Sequence, residues 1–294
     1  MRTANSRKIK LSAAAAVLMG LAFTAQADVI TWDGGGVNNL VQTTGNWNPD
    51  GTPTGANSGV VGGATKTGYT TGTAQVLIDY EITYSDTASL GVSNGTTRLT
   101  LTGGTALTFN NSSALQVGEI LMIGGQTAGG AVLTLTGNAT ASVVSGLQFG
   151  NTATLSAPGS LTLQGNSSLT AAGSLDWRQV NGGPSVTHYL TLADSAALTA
   201  SGTAARNYNG ATLIVNFQQA SSNATPVWTL GEAVDFSQAG IQYQINGVNT
   251  TLADSRFVKQ GNSLSLTVIP EPATIGMLGL GALVTLLIRR MGTR

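Results

Sequence analysis

Short runs of alternating apolar and polar residues fill the middle of the chain, from about residue 75 to residue 268. Each run has the two-residue period of a half-buried strand and stops at Gly, Asn or Ser, with no helical period between runs. The clearest run, Leu-Thr-Leu-Thr-Gly at 99–103, recurs at 133–137 and more weakly at 161–165 and 190–194. A second series of short runs starts at Leu90, Leu115, Leu147 and Leu175.

The interval between these runs predicts a parallel β-solenoid. Spacings of 34, 28 and 29 residues leave room for several strands per turn, which is typical of coils that stack on one another. We therefore expect an all-β fold, a single-stranded, right-handed parallel solenoid over residues 86–220. Asn-Gly turns at 94–95, 209–210 and 246–247 are also typical of antiparallel hairpins, so a β-sandwich is the alternative fold.

The solenoid register assigns a direction to each repeated side chain. Eight leucines are expected to point inward and stack: Leu99, Leu101, Leu133, Leu135, Leu161, Leu163, Leu190 and Leu192. Four threonines are expected to point outward in a ladder with a spacing of ~4.8 Å: Thr100, Thr134, Thr162 and Thr191. A flat threonine ladder suits an ice or crystal surface, but the second threonine of each pair becomes Gln164 and then Ala193, which makes this a minor alternative.

Both ends of the solenoid are expected to carry caps. Residues 28–85 are interpreted as an N-terminal cap with the first strands, in which Trp32 and Trp47 form an opening hairpin or first coil and cover the core. Exposed tryptophans that bind sugar are the alternative. Residues 49–75 are expected to be a loose excursion. Residues 221–268 are interpreted as C-terminal capping strands that end in a hairpin, because a stacked core needs its open edges covered.

The N-terminus has the three parts of a secretory signal peptide. Four basic residues precede an apolar stretch from Leu11 to Phe23, and Ala25-Gln26-Ala27 forms an A-x-A cleavage site. Residues 1–27 are therefore a predicted signal peptide, with Ala25 and Ala27 at the cleavage site. The partner that this implies is the secretion machinery.

The C-terminus, residues 269–294, has a different three-part order. Pro270-Glu271-Pro272 is stiff and polar, because each proline fixes its φ angle and lacks a backbone donor. An uncharged segment at 273–288 follows, and Arg289 and Arg290 then form a basic stop. Such a segment is close to the length of a membrane-spanning helix, and arginines favour the cytoplasmic side. A plain membrane anchor is the alternative interpretation.

This tail resembles a PEP-CTERM sorting signal, a tag of exported bacterial proteins. The resemblance implies that a membrane-bound enzyme of the exosortase type recognises Pro270, Glu271 and Pro272 and removes the apolar segment. The opening pattern T-W-D-G-G…N-W, from Thr31 to Trp47, is similar to the start of autotransporter-like β-strand repeat proteins. The expected route is transient residence in the inner membrane, followed by the cell envelope, the cell surface or the extracellular space.

Charge and composition remove several partners. Between residues 28 and 269 there are six basic and twelve acidic residues, so the exported body is mildly acidic. Nucleic acid is a poor partner for such a surface, because it needs clustered Lys and Arg. The absence of cysteine excludes disulfides and thiolate metal sites. We expect no metal and no cofactor.

The residues suited to catalysis are few. His188 is the single histidine, and its place in a strand pattern predicts a structural role. Asp176 and Arg178 flank Trp177 on one strand face, with Asp194 as the one plausible acidic neighbour. Solenoid polysaccharide lyases use several acids together, so a solvated ion pair is the expected role. We expect no catalytic residue.

Two classes of function follow from the sequence. The first is a non-catalytic structural or adhesive protein of the cell surface or of an extracellular, exopolysaccharide-associated matrix. The second is a carbohydrate-binding module or polysaccharide-active enzyme on the same solenoid. Acids and aromatic residues that converge in one groove would favour the second class.

Overall fold

The computed structural model describes residues 28–267, apart from 37, 54–56, 69–74, 93–96, 126–128, 152–156, 220–224 and 232–233. The predicted signal peptide and the predicted sorting segment both lie outside these residues. Within them, the regular structure is one 3-10 helix at Thr44–Asn46 and a series of short strands.

In chain order the strands are β1 (Asp28–Trp32), β2 (Trp47–Asn48), β3 (Asn57–Val61), β4 (Lys66–Gly68), β5 (Gln75–Ile78), β6 (Ile82–Tyr84), β7 (Ser89–Val92), β8 (Arg98–Leu101), β9 (Ala106–Phe109), β10 (Ala114–Val117), β11 (Leu121–Ile123), β12 (Ala131–Leu135), β13 (Thr140–Val143), β14 (Leu147–Phe149), β15 (Gly159–Leu163), β16 (Ser168–Ala171), β17 (Leu175–Arg178), β18 (Thr187–Ala193), β19 (Ala197–Ala200), β20 (Ala205–Tyr208), β21 (Thr212–Gln218), β22 (Val227–Leu230), β23 (Ile241–Ile245), β24 (Val248–Thr250), β25 (Phe257–Gln260) and β26 (Ser263–Leu266).

Strands of successive turns pair in parallel and build three sheets. Sheet A has the order β2-β1-β3-β6-β9-β12-β15-β18-β21-β23-β24. Sheet B has the order β25-β26-β22-β19-β16-β13-β10-β7-β4, and sheet C the order β20-β17-β14-β11-β8-β5. Each full turn gives one strand to each sheet, over about seven turns. The predicted all-β parallel solenoid is confirmed, the β-sandwich is excluded, and the right-handed sense stays a prediction.

The core consists of side chains that strand alternation turns inward from all three sheets. In sheet A, Leu107, Leu133, Leu161 and Leu190 occupy one register position in successive turns, and all four are fully buried. Each burial stabilises the fold by roughly 1.5–3 kcal/mol. Because the chain contains no cysteine, this burial and the backbone hydrogen bonds hold the turns together.

Two of the eight leucines predicted for this stack belong to another sheet. Leu99 and Leu101 lie in β8 of sheet C and pair with Leu121 and Ile123. The 34-residue spacing from Leu99 to Leu133 therefore crosses from one sheet to another. The register prediction is wrong here because a Leu-Thr-Leu run satisfies any of the three sheets, since each requires the same alternation.

The second predicted series is divided in the same way. The runs at Leu90 and Leu115 lie in sheet B, whereas those at Leu147 and Leu175 lie in sheet C. Each turn thus has three strands with the same alternation, and the spacing of the runs alone did not show which strand belongs to which sheet. Strands β3 and β4 also continue sheets A and B through residues predicted to be a loose excursion.

The threonine ladder differs from its prediction in membership. Thr100 does face outward, but from sheet C and not from sheet A. It is fully buried, and its Oγ1 accepts a hydrogen bond of 2.7 Å from Nε2 of Gln75, so the prediction that it belongs to this ladder is wrong. The outward row lies in sheet A and extends over five successive turns: Thr83, Thr108, Thr134, Thr162 and Thr191. One face of the solenoid therefore carries a regular, uncharged line of hydroxyl groups.

The corner between sheets A and B repeats one backbone conformation in six successive turns. The residues with left-handed φ are Gly63 (67°), Asp86 (57°), Asn111 (56°), Gly137 (68°), Gly165 (72°) and Asp194 (59°). Asn and Asp adopt this region more readily than other non-glycine residues. Both acids in this row also bind the previous turn, since Gly63 N donates to Oδ2 of Asp86 at 2.9 Å and Gly165 N donates to Oδ2 of Asp194 at 3.1 Å.

Antiparallel strands close both ends of the stack. At the N-terminal end β2 pairs with β1, and the ring of Trp32 packs edge-on against that of Trp47 at 5.2 Å. Trp47 is fully buried, and its Nε1 donates to the carbonyl of Val41 at 2.9 Å. At the C-terminal end the β25–β26 hairpin covers β22, and β24 covers β23. The two tryptophans therefore cover the core, as their spacing predicts.

Candidate functional site

The residues predicted for export and sorting lie beyond the described part of the chain. Ala25 and Ala27 precede it, and Pro270, Glu271, Pro272, Arg289 and Arg290 follow it. The last described strand, β26, ends at Leu266. Among the residues that are described, no helix has the length and apolar character needed to cross a membrane.

The single histidine is held by the backbone on both ring nitrogens. Gly159 N donates to Nδ1 of His188 at 3.0 Å, and Nε2 lies 2.9 Å from the carbonyl oxygen of Arg178. This arrangement assigns the proton to Nε2, since a carbonyl only accepts. Burial lowers the pKa of His188 to about 4, so the ring is neutral at neutral pH. The predicted structural role fits this geometry.

Asp176 forms the centre of a charged cluster on the outer face of sheet C. Its Oδ2 accepts a 2.6 Å hydrogen bond from Arg178, and Nε of Arg206 lies 3.5 Å from its Oδ1. Asp176 is only 5% exposed, so the prediction of a solvated ion pair is wrong. Asp176 is buried because the two adjacent strands, β14 and β20, place Gln148 and Arg206 on either side of it.

A tyrosine orients the cluster from the next turn. The guanidinium of Arg178 lies 4.3 Å from the ring centroid of Tyr208, and that of Arg206 lies 5.9 Å from it. Stacking on an aromatic ring fixes a guanidinium while leaving its edge available for hydrogen bonds. Arg178 is therefore held from two sides, by the Asp176 carboxylate and by the Tyr208 ring.

A pocket of about 190 Å³ adjoins this cluster at the corner between sheets B and C. Ser145, Gly146, Gln148, Ser174 and Asp176 line it. Within the described chain, Oδ1 of Asp176 is buried and receives no hydrogen bond. Its nearest charged neighbour is Nε of Arg206, at 3.5 Å, which is too far for a normal hydrogen bond. The pocket itself offers the side chains of Ser145 and Ser174, whose hydroxyl groups can donate or accept a hydrogen bond.

A larger pocket, of about 410 Å³, lies in the C-terminal cap beside Phe236 and Tyr243. The Tyr243 hydroxyl donates to the Phe236 carbonyl, and burial raises the pKa of Tyr243, so the phenol is neutral. The described residues that line this pocket carry no charge. Its polar side chains, such as Gln238, Gln242 and Asn249, are neutral, so the pocket offers hydrogen bonds but no charged group to orient a ligand.

Asp194, which was predicted as the acidic neighbour of Asp176, does not lie in this cluster. It lies at the corner between sheets A and B, where its carboxylate binds Gly165 N. In the described ranges no group of three His, Cys, Asp or Glu side chains converges as a metal site.

Arg206 and Tyr208 are the site residues that sequence reasoning missed. They lie 30 residues after Asp176 and Arg178 in the paired strand, which is the repeat interval. The signal was hidden because β20 has Ala205 and Asn207 at its inward positions instead of two large apolar residues.

Fold and site together define a capped parallel β-solenoid. Its sheet A carries a ladder of threonine hydroxyls, and its sheet C carries the Asp176 cluster. The comparison with family models identifies its tail: the PEP-CTERM protein-sorting motif matches residues 268–290. The predicted sorting signal is therefore confirmed. This motif is a substrate signal for exosortase-type processing, and it indicates an exported protein that reaches the cell envelope or surface. Neither the search of curated proteins nor the search of solved structures found a match.

Proposed function

We propose that this protein is a non-catalytic structural or adhesive component of the cell envelope or of a polysaccharide-containing extracellular matrix. The observation that carries the proposal is the position of the sorting motif, which begins at residue 268, two residues after the last strand of the C-terminal cap. Processing after the cap would release a closed solenoid, since the strands of the described sheets all end before residue 268.

The surface chemistry supports an adhesive role. The ladder from Thr83 to Thr191 repeats one hydroxyl per turn at the ~4.8 Å strand spacing. Such a row can form many weak hydrogen bonds with a partner whose polar groups repeat at regular intervals. Many weak contacts acting together give strong attachment without a deep pocket.

The proposal that the protein is not an enzyme rests on the state of its residues. His188 has both nitrogens occupied by backbone groups, so it is not free to take a proton from a substrate. Asp176 is held by the 2.6 Å hydrogen bond from Arg178 and is only 5% exposed, so its carboxyl group has little access to a substrate. A carbohydrate-binding role is the second candidate, and the pocket beside Asp176 favours it.

The sorting part of the proposal is tested by replacing the motif. We expect the triple variant Pro270→Ala, Glu271→Ala, Pro272→Ala to insert into the membrane and to accumulate there uncleaved, because its apolar segment is unchanged. Wild-type protein should reach the envelope or the medium without its tail. Cell fractionation and intact mass measurement distinguish the two forms.

Thr274→Ala, just beyond the triplet, is the matched control and should be processed like wild type. Replacing Arg289 and Arg290 with Glu should instead disturb membrane orientation, because the positive stop is lost. If the triple variant is cleaved and released normally, the triplet is not the recognised element and the proposed route is wrong.

A further inference from the structure

The Asp176 cluster contains two positively charged side chains and one acidic side chain. One carboxylate is shared by two arginines, which leaves one positive charge in excess. The other described ion pairs match one acid with one base: Arg98 with Glu119, Arg256 with Asp254, and Lys259 with Asp235. The cluster is therefore a local cationic point on an acidic protein, and it attracts an anion.

Arg206 is the group positioned to bind that anion. Its side chain is 52% exposed, whereas that of Arg178 is 23% exposed and is hydrogen-bonded to Asp176. The contact of Arg206 with Asp176 is a 3.5 Å approach of Nε without a hydrogen bond in the described structure. The terminal nitrogens of Arg206 thus remain available for a carboxylate, which a guanidinium binds in a two-pronged geometry.

The pocket adds a requirement for hydroxyl groups. Ser145 and Ser174 line it with hydroxyl groups, and Gln148 and Asp176 lie beside them. About 190 Å³ corresponds to roughly six waters at ~30 Å³ each, the scale of a single sugar ring. A ligand that fits both features carries a carboxylate and several hydroxyls on one ring.

We propose that this site binds a uronic-acid unit of an acidic polysaccharide. Arg206 binds the sugar carboxylate, and the hydroxyls of Ser145 and Ser174 form hydrogen bonds with the ring hydroxyls. Asp176, held by Arg178, positions Arg206 through their ion pair. The site is a binding site, and no bond of the sugar is broken. The proposal deepens the adhesive role and rests on it for the presence of a polysaccharide around the exported protein.

The experiment is a calorimetric titration of the protein, purified from cells that export it, with a galacturonic acid trisaccharide. The same trisaccharide as its methyl ester keeps the rings and hydroxyls but lacks the charge. We expect the acid to bind about tenfold more tightly than the ester, the effect of one charge-assisted contact. Raising the salt concentration should reduce this difference, and the trisaccharide should be recovered intact.

Variants locate the binding. Arg206→Gln should weaken binding of the acid about tenfold and leave binding of the ester unchanged, because only the charged contact is lost. Ser174→Leu should weaken both by filling the pocket. Arg98→Gln is the matched control, since Arg98 is a 47% exposed arginine of sheet C outside the pocket, and it should bind like wild type.

Equal affinity for the acid and its methyl ester overturns the proposal, whatever the variants do. Equal weakening by Arg206→Gln and Arg98→Gln also overturns it, because the attraction would then be a general surface effect. Neither result bears on the sorting experiment, which concerns the tail alone. Failure of that experiment would remove the adhesive location and leave the measured binding intact.

Discussion

Several buried polar side chains of this protein are satisfied by backbone groups of neighbouring turns. His188 contacts Gly159 N and the Arg178 carbonyl, and Oγ of the buried Ser167 donates to the Leu135 carbonyl one turn earlier at 3.0 Å. A stacked backbone presents the same donors and acceptors in every turn, so a single polar residue finds a partner without a second special side chain. Gly150 belongs to this arrangement, because a Cβ at its position would clash with the Arg178 carbonyl and the imidazole.

The neutral state of His188 predicts a dependence of stability on pH. Its pKa is about 4 in the folded protein and about 6.5 in an unfolded chain. Between these values the unfolded state binds more protons, so the free energy of unfolding falls as pH decreases from about 6.5 towards 4. By pH ~4.5 the loss from this residue is about 2–3 kcal/mol. Chemical denaturation across this pH range measures it.

The control for this prediction is His188→Gln, which retains one acceptor and one donor but does not titrate. Its free energy of unfolding should change less between neutral pH and pH ~4.5 than that of wild type. Carboxylates elsewhere titrate equally in both proteins and cancel in the comparison. Identical pH dependence in the two proteins would show that the imidazole is protonated as readily inside the fold as outside it.

At the level of strands, alternation predicted the fold class but not the sheet to which each strand belongs. Period-two runs that stop at Gly or Asn indicated parallel coils, and the stack from Leu133 to Leu190 follows that prediction. The runs at Leu99 and Leu133 look alike, yet they lie in sheets C and A. The alternation of residues in a strand predicts which side chains face the core. The turn that precedes the strand determines the sheet in which that strand lies.

The candidate site was predictable to a similar extent. Asp176 and Arg178 were recognised as a pair from their positions in one strand. Their burial was not, because it depends on the residues stacked above and below, and Arg206 is a full turn away in sequence. Charged contacts between turns become visible only after the register is known.

The difference between sheets predicts opposite outcomes for two threonines in the same Leu-Thr-Leu context. Thr100→Asp places a carboxylate in a fully buried position beside Gln75, and we expect a loss of about 3–5 kcal/mol or failure to fold. Thr134→Asp lies on the outward ladder between Thr108 and Thr162 and should cost at most about 1 kcal/mol. Thermal unfolding compares the two, and equal tolerance would contradict the burial of Thr100 on the outer face of sheet C.

At the scale of the whole molecule, the solenoid is a stack in which each turn contacts its neighbours and the ends need separate treatment. Turns that are alike can add indefinitely, so an uncovered end can pair with another copy. Sheets A and B both finish in antiparallel strands at the C-terminal end. Because the sorting motif follows the β25–β26 hairpin, removal of the tail leaves this cover in place.

The C-terminal cover predicts an effect on assembly. Leu264 is 1% exposed and pairs with Trp228 in β22, so Leu264→Asp should detach the hairpin and uncover the edge of β22. We expect this variant to form dimers and larger species that grow with concentration, measured by size-exclusion chromatography with light scattering. Val258→Asp is the matched control, because Val258 lies in the same hairpin but is 40% exposed, and it should behave like wild type. A Leu264→Asp protein that stays folded and has the same mass as wild type would mean that the edge of β22 is protected by something other than this hairpin.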